Sequence, residues 1–144
     1  MPSFVQDIYD FNLRAGLLDR PYNDSLEASF QIEEALEDFD LSQLAVHLGT
    51  TNKDPKSISR AVISACNISD LSDVARLDKA CDAIVFAFGS IFKLGLTPDQ
   101  AAKAISIVMS ANLAKLGQPR DSEGKLLKPD SFVGPEEQLA LLFS

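Results

Sequence analysis

"DLSDVARLDKACDAIVFAFGSIFKL", residues 70–94, is the longest amphipathic pattern in the chain. Its apolar residues recur at intervals of three and four from Leu71 to Phe92, and Gly95 follows directly afterwards. This spacing is typical of one wide helix face, and glycine is a common residue just beyond a helix end. The stretch therefore predicts a long central helix, and its small polar fraction predicts that the helix is mostly buried.

Two aspartates lie inside this apolar pattern. Asp78 and Asp82 are four residues apart, which places them on one face of a helix. A buried aspartate without a partner would cost several kcal/mol. We therefore expect a metal ion or a basic group beside this pair.

The other segments carry helix start and stop signals of their own. "TPDQ", residues 97–100, is a capping box with proline in the first turn, and Pro55 suits the first turn of another helix. No alternating pattern with paired turns predicts a sheet. We expect an all-α protein, an antiparallel helical bundle of about four main helices plus short ones. Residues 1–144 form a single domain in this interpretation, with a loop at 117–134 that covers the substrate and a short C-terminal helix at 135–144.

The composition is that of an acidic, folded protein. The chain has 144 residues, 46% of them hydrophobic, and a formal net charge of −8. That charge opposes a phosphate backbone, so we expect no nucleic-acid partner unless a bound cation reverses the local sign. No stretch approaches the roughly 20 apolar residues of a membrane span, and the first residues lack a signal-peptide pattern. We therefore expect a cytoplasmic protein that does not contact a membrane.

A second acidic cluster lies in "FQIEEALEDFD", residues 30–40, within a predicted helix that Asp24 or Ser25 can cap and whose apolar spacing continues to Phe39. Glu33, Glu34 and Glu37 are three and four residues apart, so on a helix they project from one face and repel one another. Acidic pairs on two facing antiparallel helices supply the hard oxygen ligands that Mg²⁺ or Mn²⁺ prefers. The alternative is an ordinary solvated helix face.

The order of these motifs resembles a known family. "EEALE", residues 33–37, followed later by "DKACDAI", residues 78–84, is similar to the acidic motifs of the all-α nucleoside triphosphate pyrophosphohydrolases. This is the MazG-like family, which includes phosphoribosyl-ATP pyrophosphohydrolase and the dimeric dUTPases. "GSIFKLGLTPDQAAKAISIVMSANLAKLG", residues 89–117, and "GKLLKPDSFVGPEEQL", residues 124–139, resemble its next helix and its lysine-containing loop. The resemblance covers most of the chain and implies a single MazG-like domain.

The resemblance implies a Mg²⁺-dependent nucleotide pyrophosphatase, with Mn²⁺ as an alternative ion. Such a hydrolase cleaves a nucleoside triphosphate between its α and β phosphates, giving the monophosphate and pyrophosphate, as in nucleotide housecleaning. Glu34, Glu37, Asp78 and Asp82 would be the ligands of one or two ions. Glu33 or Glu37 would be the catalytic residue that takes the proton from the attacking water. The family also implies a homodimer or a homotetramer.

Candidate substrate-binding residues lie in the first helix and in the C-terminal half. Asn112 and Lys115 occupy the places of the family's Asn and Lys, and Lys125 and Lys128 lie in the loop. The lysines would bind phosphates, and each could also be an ordinary exposed lysine. Asn12 is the best candidate for a contact with the edge of the base.

One position departs from the family pattern. The second motif usually carries Glu three residues before its Asp, and here Lys79 stands there, with Asp78 just before it. An aspartate one helical turn before Asp82 can serve instead. If Lys79 points into the site, the alternative is a catalytically inactive helical module for interaction or oligomerisation.

Overall fold

The computed structural model describes residues 3–68 and 70–144, and the regular structure in them is helical. An isolated β-bridge joins Arg120 to Leu126. The prediction of an all-α class is confirmed. The α-helices are α1 (Ser3–Arg14), α2 (Asp24–Leu36), α3 (Ser42–Leu48), α4 (Pro55–Ser64), α5 (Asp73–Lys93), α6 (Pro98–Leu113) and α7 (Glu136–Ala140), and single 3-10 turns lie at Leu17–Asp19 and Leu141–Phe143.

Local sequence signals set several helix ends. Thr97 and Gln100 form the predicted capping box at the start of α6, with backbone N–H groups donating to Thr97 Oγ1 at 3.3 Å and to Gln100 Oε1 at 2.8 Å. Asp54 caps α4 by accepting from the Ser57 N–H at 2.9 Å. This bond lowers the pKa of the Asp54 carboxyl below its ordinary value. Each cap satisfies a backbone donor that the first helical turn leaves free.

The bounds of α2 differ from the sequence prediction at both ends. Asn23, and not Asp24 or Ser25, caps the helix, since its side chain accepts from the Leu26 N–H at 3.0 Å. The predicted pattern continues to residue 39, whereas α2 ends at Leu36. Asp38 has a left-handed backbone (φ 64°), and a right-handed helix cannot continue through that conformation.

The chain divides into two compact units. The central unit is Pro21–Leu77, with α2, α3, α4 and the first turn of α5. In it, α2 packs on α4, and Leu41, Ala45 and Ile58 form a small buried core. The residues packed against this core are also apolar, namely Leu36, Leu44, Leu48 and Val62.

In the same unit, an ion pair joins the first turn of α5 to the start of α2. Arg76 Nη2 lies 2.9 Å from Asp24 Oδ2, and the Asp24 side chain is only 5% exposed. The guanidinium also donates to Asp73 and lies 4.5 Å from the centroid of the Tyr22 ring. The hydrogen bonding that Arg76 donates to the Asp24 carboxylate is the main reason that the pKa of Arg76 is raised above its ordinary value.

The terminal unit contains the residues up to Arg20 together with Asp78–Ser144. Here α1 packs on α6 and α6 packs on α7. The largest apolar residues buried in this unit are Met109 and Leu142, and the Gln100 amide donates to the Leu142 carbonyl at 3.3 Å. Phe88 of α5 stacks at a tilt on Phe4, with 6.1 Å between ring centroids.

The helix α5 is far more exposed than its sequence predicts. No residue of α5 is buried, and Val74, Ile84, Val85 and Phe86 are each more than half exposed. The expectation of a mostly buried helix is therefore wrong for a single copy of the chain. Periodicity identifies an apolar face but does not say which surface covers it. The free thiol of Cys81 on this helix is exposed as well.

The length and composition of the helices bear on membrane insertion. Within the described ranges, no single helix has the length and apolarity of a membrane span. The helices α5 and α6 reach that composition only as a pair, which is bent by 112°.

Candidate functional site

The three glutamates of "EEALE" have different surroundings. Glu33 lies on α2 and accepts a hydrogen bond from Arg60 of α4, with 2.9 Å between Arg60 Nη1 and Glu33 Oε2. Glu34 lies one residue later, and its side chain is exposed. Glu37 is the C-cap residue of α2, just past the last turn, so it is not on the regular helix face that we predicted.

Arg60 is the residue that fixes Glu33. Its Nη1 also donates to the Ser29 carbonyl at 3.3 Å and to Ser59 Oγ at 2.6 Å, and its guanidinium stands 5.3 Å from the centroid of the Phe30 ring. The Glu33 side chain is 12% exposed. Glu33 is thus engaged in the packing of α2 on α4.

Glu34 and Glu37 have no such partner. Across residues 3–68 and 70–144, neither carboxylate accepts a hydrogen bond or forms an ion pair. Both side chains are exposed. Their oxygens are therefore available to a ligand from solution.

The second acidic pair lies on α5. Asp78 and Asp82 are exposed and one helical turn apart, which corresponds to about 5–6 Å between their Cβ atoms. The burial that we expected for Asp82 is wrong, because this face of α5 is open to solvent. In the part of the chain that the structure describes, neither aspartate has an ion-pair partner, and exposed Lys79 pairs with neither.

The four proposed ligands belong to different units. Glu34 and Glu37 are in the central unit, and Asp78 and Asp82 are in the terminal unit. No group of three or more His, Cys, Asp or Glu side chains among the described residues is placed to hold a metal ion. The ligand set stays a prediction.

Three predicted substrate-binding residues come together in the terminal unit. Lys115 Nζ donates to Asn112 Oδ1 at 3.0 Å, and the same ammonium lies 5.4 Å from the centroid of the Phe132 ring. Lys128 Nζ lies 5.3 Å from that centroid. Two positive charges thus stand beside one aromatic ring, each in favourable cation–π range.

The other two predicted substrate-binding residues lie elsewhere in this unit. Asn12 uses its Nδ2 to donate to the Ile8 carbonyl at 2.8 Å within α1. Lys125 follows a tight turn, where its backbone N–H donates to Asp121 Oδ1 at 3.0 Å. Both residues stay candidates, since each side chain is half-buried and keeps part of its surface open.

The predicted covering loop contains a short hairpin. Asp121 N–H donates to the Lys125 carbonyl at 2.8 Å, and Gly124 closes the turn with φ +87°. Arg120 Nη1 donates to the Gly124 carbonyl at 3.1 Å, and its Nη2 donates to the Ala15 carbonyl at the end of α1. These bonds anchor the hairpin to α1.

Arg60 and Phe132 were missed by the sequence reasoning. Arg60 is a charged residue within "SISRAVIS", an otherwise uncharged stretch of α4, and such an isolated charge is a signal for a partner. Phe132 lies in a loop, where no helical periodicity marks it.

No protein-family model matches this chain, and neither a curated protein nor a solved structure matches it. The site residues that the family resemblance implies therefore stay predictions.

Proposed function

We propose that this protein is a Mg²⁺-dependent nucleoside triphosphate pyrophosphohydrolase that releases a nucleoside monophosphate and pyrophosphate. The observation that carries the proposal is the state of its acidic residues. Glu34, Glu37, Asp78 and Asp82 are all exposed, and within the described residues none of them is engaged by a protein cation. Exposed carboxylates without protein partners supply the hard oxygen donors that suit Mg²⁺.

In this proposal the acidic residues have different roles. Glu34 and Glu37 in the central unit, and Asp78 and Asp82 in the terminal unit, are each candidate ligands of Mg²⁺, which when bound would neutralise the charge that develops on the transferring phosphoryl group. Glu37 is the better candidate than Glu33 for accepting the proton of the attacking water. The reason is that Arg60 already occupies Glu33 Oε2.

The substrate phosphates need protein cations as well. Lys115 and Lys128 are the favoured pair, because both ammonium groups lie close to the ring of Phe132. They provide a local positive charge in a chain whose net charge is −8. Charge of this sign attracts a triphosphate and offsets the repulsion from the rest of the protein.

The test is an assay of pyrophosphate release with Mg²⁺ or Mn²⁺ and a panel of canonical and damaged nucleoside triphosphates. We expect turnover by the unmodified protein and its loss in Glu34→Gln and in Asp82→Asn. The matched controls are Glu137→Gln on α7 and Asp99→Asn at the start of α6, both at exposed positions outside the proposed site. No turnover of any triphosphate, or full activity in Glu34→Gln and Asp82→Asn, refutes the proposal.

A second candidate function is that of an inactive helical module that assembles with copies of itself, and α5 is the observation that favours it. Its apolar residues at Val74, Leu77, Cys81, Ile84, Phe88 and Ile91 alternate at spacings of three and four. This is the pattern of a helix that packs along a second helix. Several of these side chains are exposed, Leu77 at 66% and Ile84 at 56%.

The dimensions of α5 suit such a pair. With 21 residues the helix is about 32 Å long and about 11 Å wide, so half of its surface is roughly 540 Å². Two copies would bury about 1,100 Å², which only just exceeds the lower limit of about 1,000 Å² for a specific interface. A homodimer through α5 is compatible with the enzyme as well as with the inactive module.

Sedimentation velocity at several protein concentrations tests the assembly. We expect a dimer or larger species that Ile84→Asp dissociates. Phe86→Asp is the matched control, since Phe86 is exposed on the same helix but lies off the alternating stripe. Assembly together with no pyrophosphate release would favour the module over the enzyme. A monomer at all concentrations would refute the assembly.

A further inference from the structure

The terminal unit contains a cleft of about 530 Å³ that none of the predicted site residues lines. Its walls are the C-terminal half of α6, the segment from Pro129 to Pro135, and Gln138 of α7. A volume of this size is within the range of small-molecule sites, about 300–1,000 Å³. The cleft is thus large enough for a ring system of a small organic ligand.

The side chains that line the cleft are uncharged. Phe132, Pro129 and Pro135 give it flat apolar surfaces, and Ile107 adds an aliphatic one. A charged group would lose its hydration there without gaining a partner, which is costly. The cleft therefore selects an uncharged part of a ligand.

Uncharged polar groups stand among these apolar surfaces. Gln118, Gln138 and Ser131 line the cleft, and in residues 3–68 and 70–144 their side chains make no hydrogen bond. A carboxamide offers two donors and an acceptor, and a hydroxyl offers one donor and two acceptor sites. These groups match a ring whose edge carries both donors and acceptors, as a heteroaromatic base does.

Positive charge lies next to the cleft. Lys115 and Lys128 both approach the ring of Phe132, which is itself part of the lining. Their ammonium groups are at most about 11 Å apart, since each lies within 5.4 Å of the same centroid. A ligand with its ring in the cleft can therefore present an anionic group to these two lysines.

From this juxtaposition we infer that the cleft binds the base of a nucleoside phosphate, with Gln118 and Gln138 contacting the edge of the base and Lys115 and Lys128 contacting the phosphate. The identity of the ligand rests on the proposed function. The inference places base recognition at the junction of α6 and α7, away from Asn12 on α1. It also makes Gln118 and Gln138 the residues that determine which base is preferred.

Binding without hydrolysis tests the inference. The full chain, labelled with ¹⁵N and kept in EDTA, is titrated with the four common nucleoside 5′-monophosphates, the matching nucleosides and ribose 5-phosphate. We expect at least one monophosphate and its nucleoside to shift the side-chain amide signals of Gln118 and Gln138, and ribose 5-phosphate to leave them unchanged. Saturation without a shift of either amide overturns the inference.

Variants test the contacts individually. We expect Gln138→Leu and Phe132→Leu to weaken binding of the preferred monophosphate roughly tenfold. Lys128→Met should weaken binding of the monophosphate but not of the nucleoside. Gln31→Leu on α2 and Phe143→Leu near the C-terminus are matched controls at exposed positions outside the cleft. Unchanged affinity in both Gln138→Leu and Phe132→Leu overturns the inference, even if the unmodified protein binds nucleotides.

The hydrolysis assay separates this inference from the proposed function. Base binding in the cleft without pyrophosphate release would leave the inference standing and refute the enzyme. If Gln138→Leu and Gln118→Leu both turn over every nucleotide with the KM of the unmodified protein, the proposed enzyme activity is retained and the inference about the base is refuted.

Discussion

Arg60 holds Glu33 in an ion pair between α4 and α2, with 2.9 Å between Arg60 Nη1 and Glu33 Oε2, while the next residue, Glu34, is exposed. Two adjacent glutamates thus differ in solvent exposure and in ion pairing, and this difference decides their roles. One carboxylate belongs to the packing of the central unit, and the other is open to a ligand.

Substitutions at Glu33 and Glu34 should separate stability from activity. We expect Glu33→Gln to lower the free energy of unfolding by about 1.5 kcal/mol, because it weakens a hydrogen bond to a charged group. Glu34→Gln should leave the unfolding free energy unchanged and abolish the proposed turnover. Urea denaturation followed by circular dichroism, run beside the pyrophosphate assay, measures both. A Glu34→Gln protein as destabilised as Glu33→Gln would contradict this division.

The two carboxylates bound to Arg76 provide a second comparison. Asp24 is buried and Asp73 is 96% exposed, although both accept from the same guanidinium. We expect Asp24→Ala to lower the free energy of unfolding by about 2 kcal/mol, since it removes charged hydrogen bonds that water cannot replace. Asp73→Ala should cause a much smaller loss, because water screens an exposed pair. Equal losses in urea denaturation would show that burial does not decide the strength of these contacts.

The cap of α4 should make stability depend on pH. The Ser57 N–H lowers the pKa of Asp54 below its ordinary value. A lowered pKa in the folded state means that the carboxylate stabilises the fold above pH 3.8 and that this contribution disappears as the pH falls through the folded-state pKa. Asn also caps helices but does not titrate.

We therefore expect the unmodified protein to lose more stability than Asp54→Asn between pH 6 and pH 3. Asp54→Ala, which has no cap, should be about 1 kcal/mol less stable than the unmodified protein at pH 6. Chemical denaturation at the two pH values measures the differences. Parallel losses in the unmodified protein and Asp54→Asn would contradict the assignment.

The hairpin depends on the glycine at its turn. Gly124 has φ +87°, and a Cβ there would collide with the guanidinium of Arg20. Gly95 has nearly the same backbone, φ +89°, but no atom of the described residues lies within 4 Å of an added Cβ there. Gly95→Ala thus reports the backbone cost alone, about 1 kcal/mol.

For Gly124→Ala we expect a loss of about 2 kcal/mol, because the Arg20 side chain must move away and give up its hydrogen bond to the Glu123 carbonyl, in addition to the backbone cost. Hydrogen exchange should also quicken at the amides of Lys125 and Leu127, which the hairpin protects. If the two alanine variants are equally stable, the contact with Arg20 does not hold the hairpin.

Local signals allowed much of the helical structure to be predicted. The capping box joins Thr97 and Gln100, three positions apart, and Pro55 by itself suits a first helical turn, so the local sequence contains the information that these predictions need. The end of α2 was predicted wrongly, because nothing in the local pattern requires the positive φ of Asp38. The apolar spacing continues to Phe39, although the helical backbone of α2 ends at Leu36.

Contacts between distant residues could not be predicted in this way. Arg60 and Glu33 are 27 positions apart, and the contact of Arg120 with the Ala15 carbonyl spans 105. Neither pair shares a helix, so no spacing rule links its members. The exposure of α5 was missed for the same reason, since burial depends on what packs against a helix and not on the helix alone.

The division of the chain into two units gives each of them its own fluorophore. The chain contains no tryptophan and two tyrosines, Tyr9 in the terminal unit and Tyr22 in the central unit. Tyr22 lies beneath the Arg76 guanidinium at 4.5 Å, so its emission should change when the central unit unfolds. Tyr9→Phe and Tyr22→Phe would each leave a single emitter, and comparing their unfolding midpoints would report whether the two units lose structure in one cooperative step or in two.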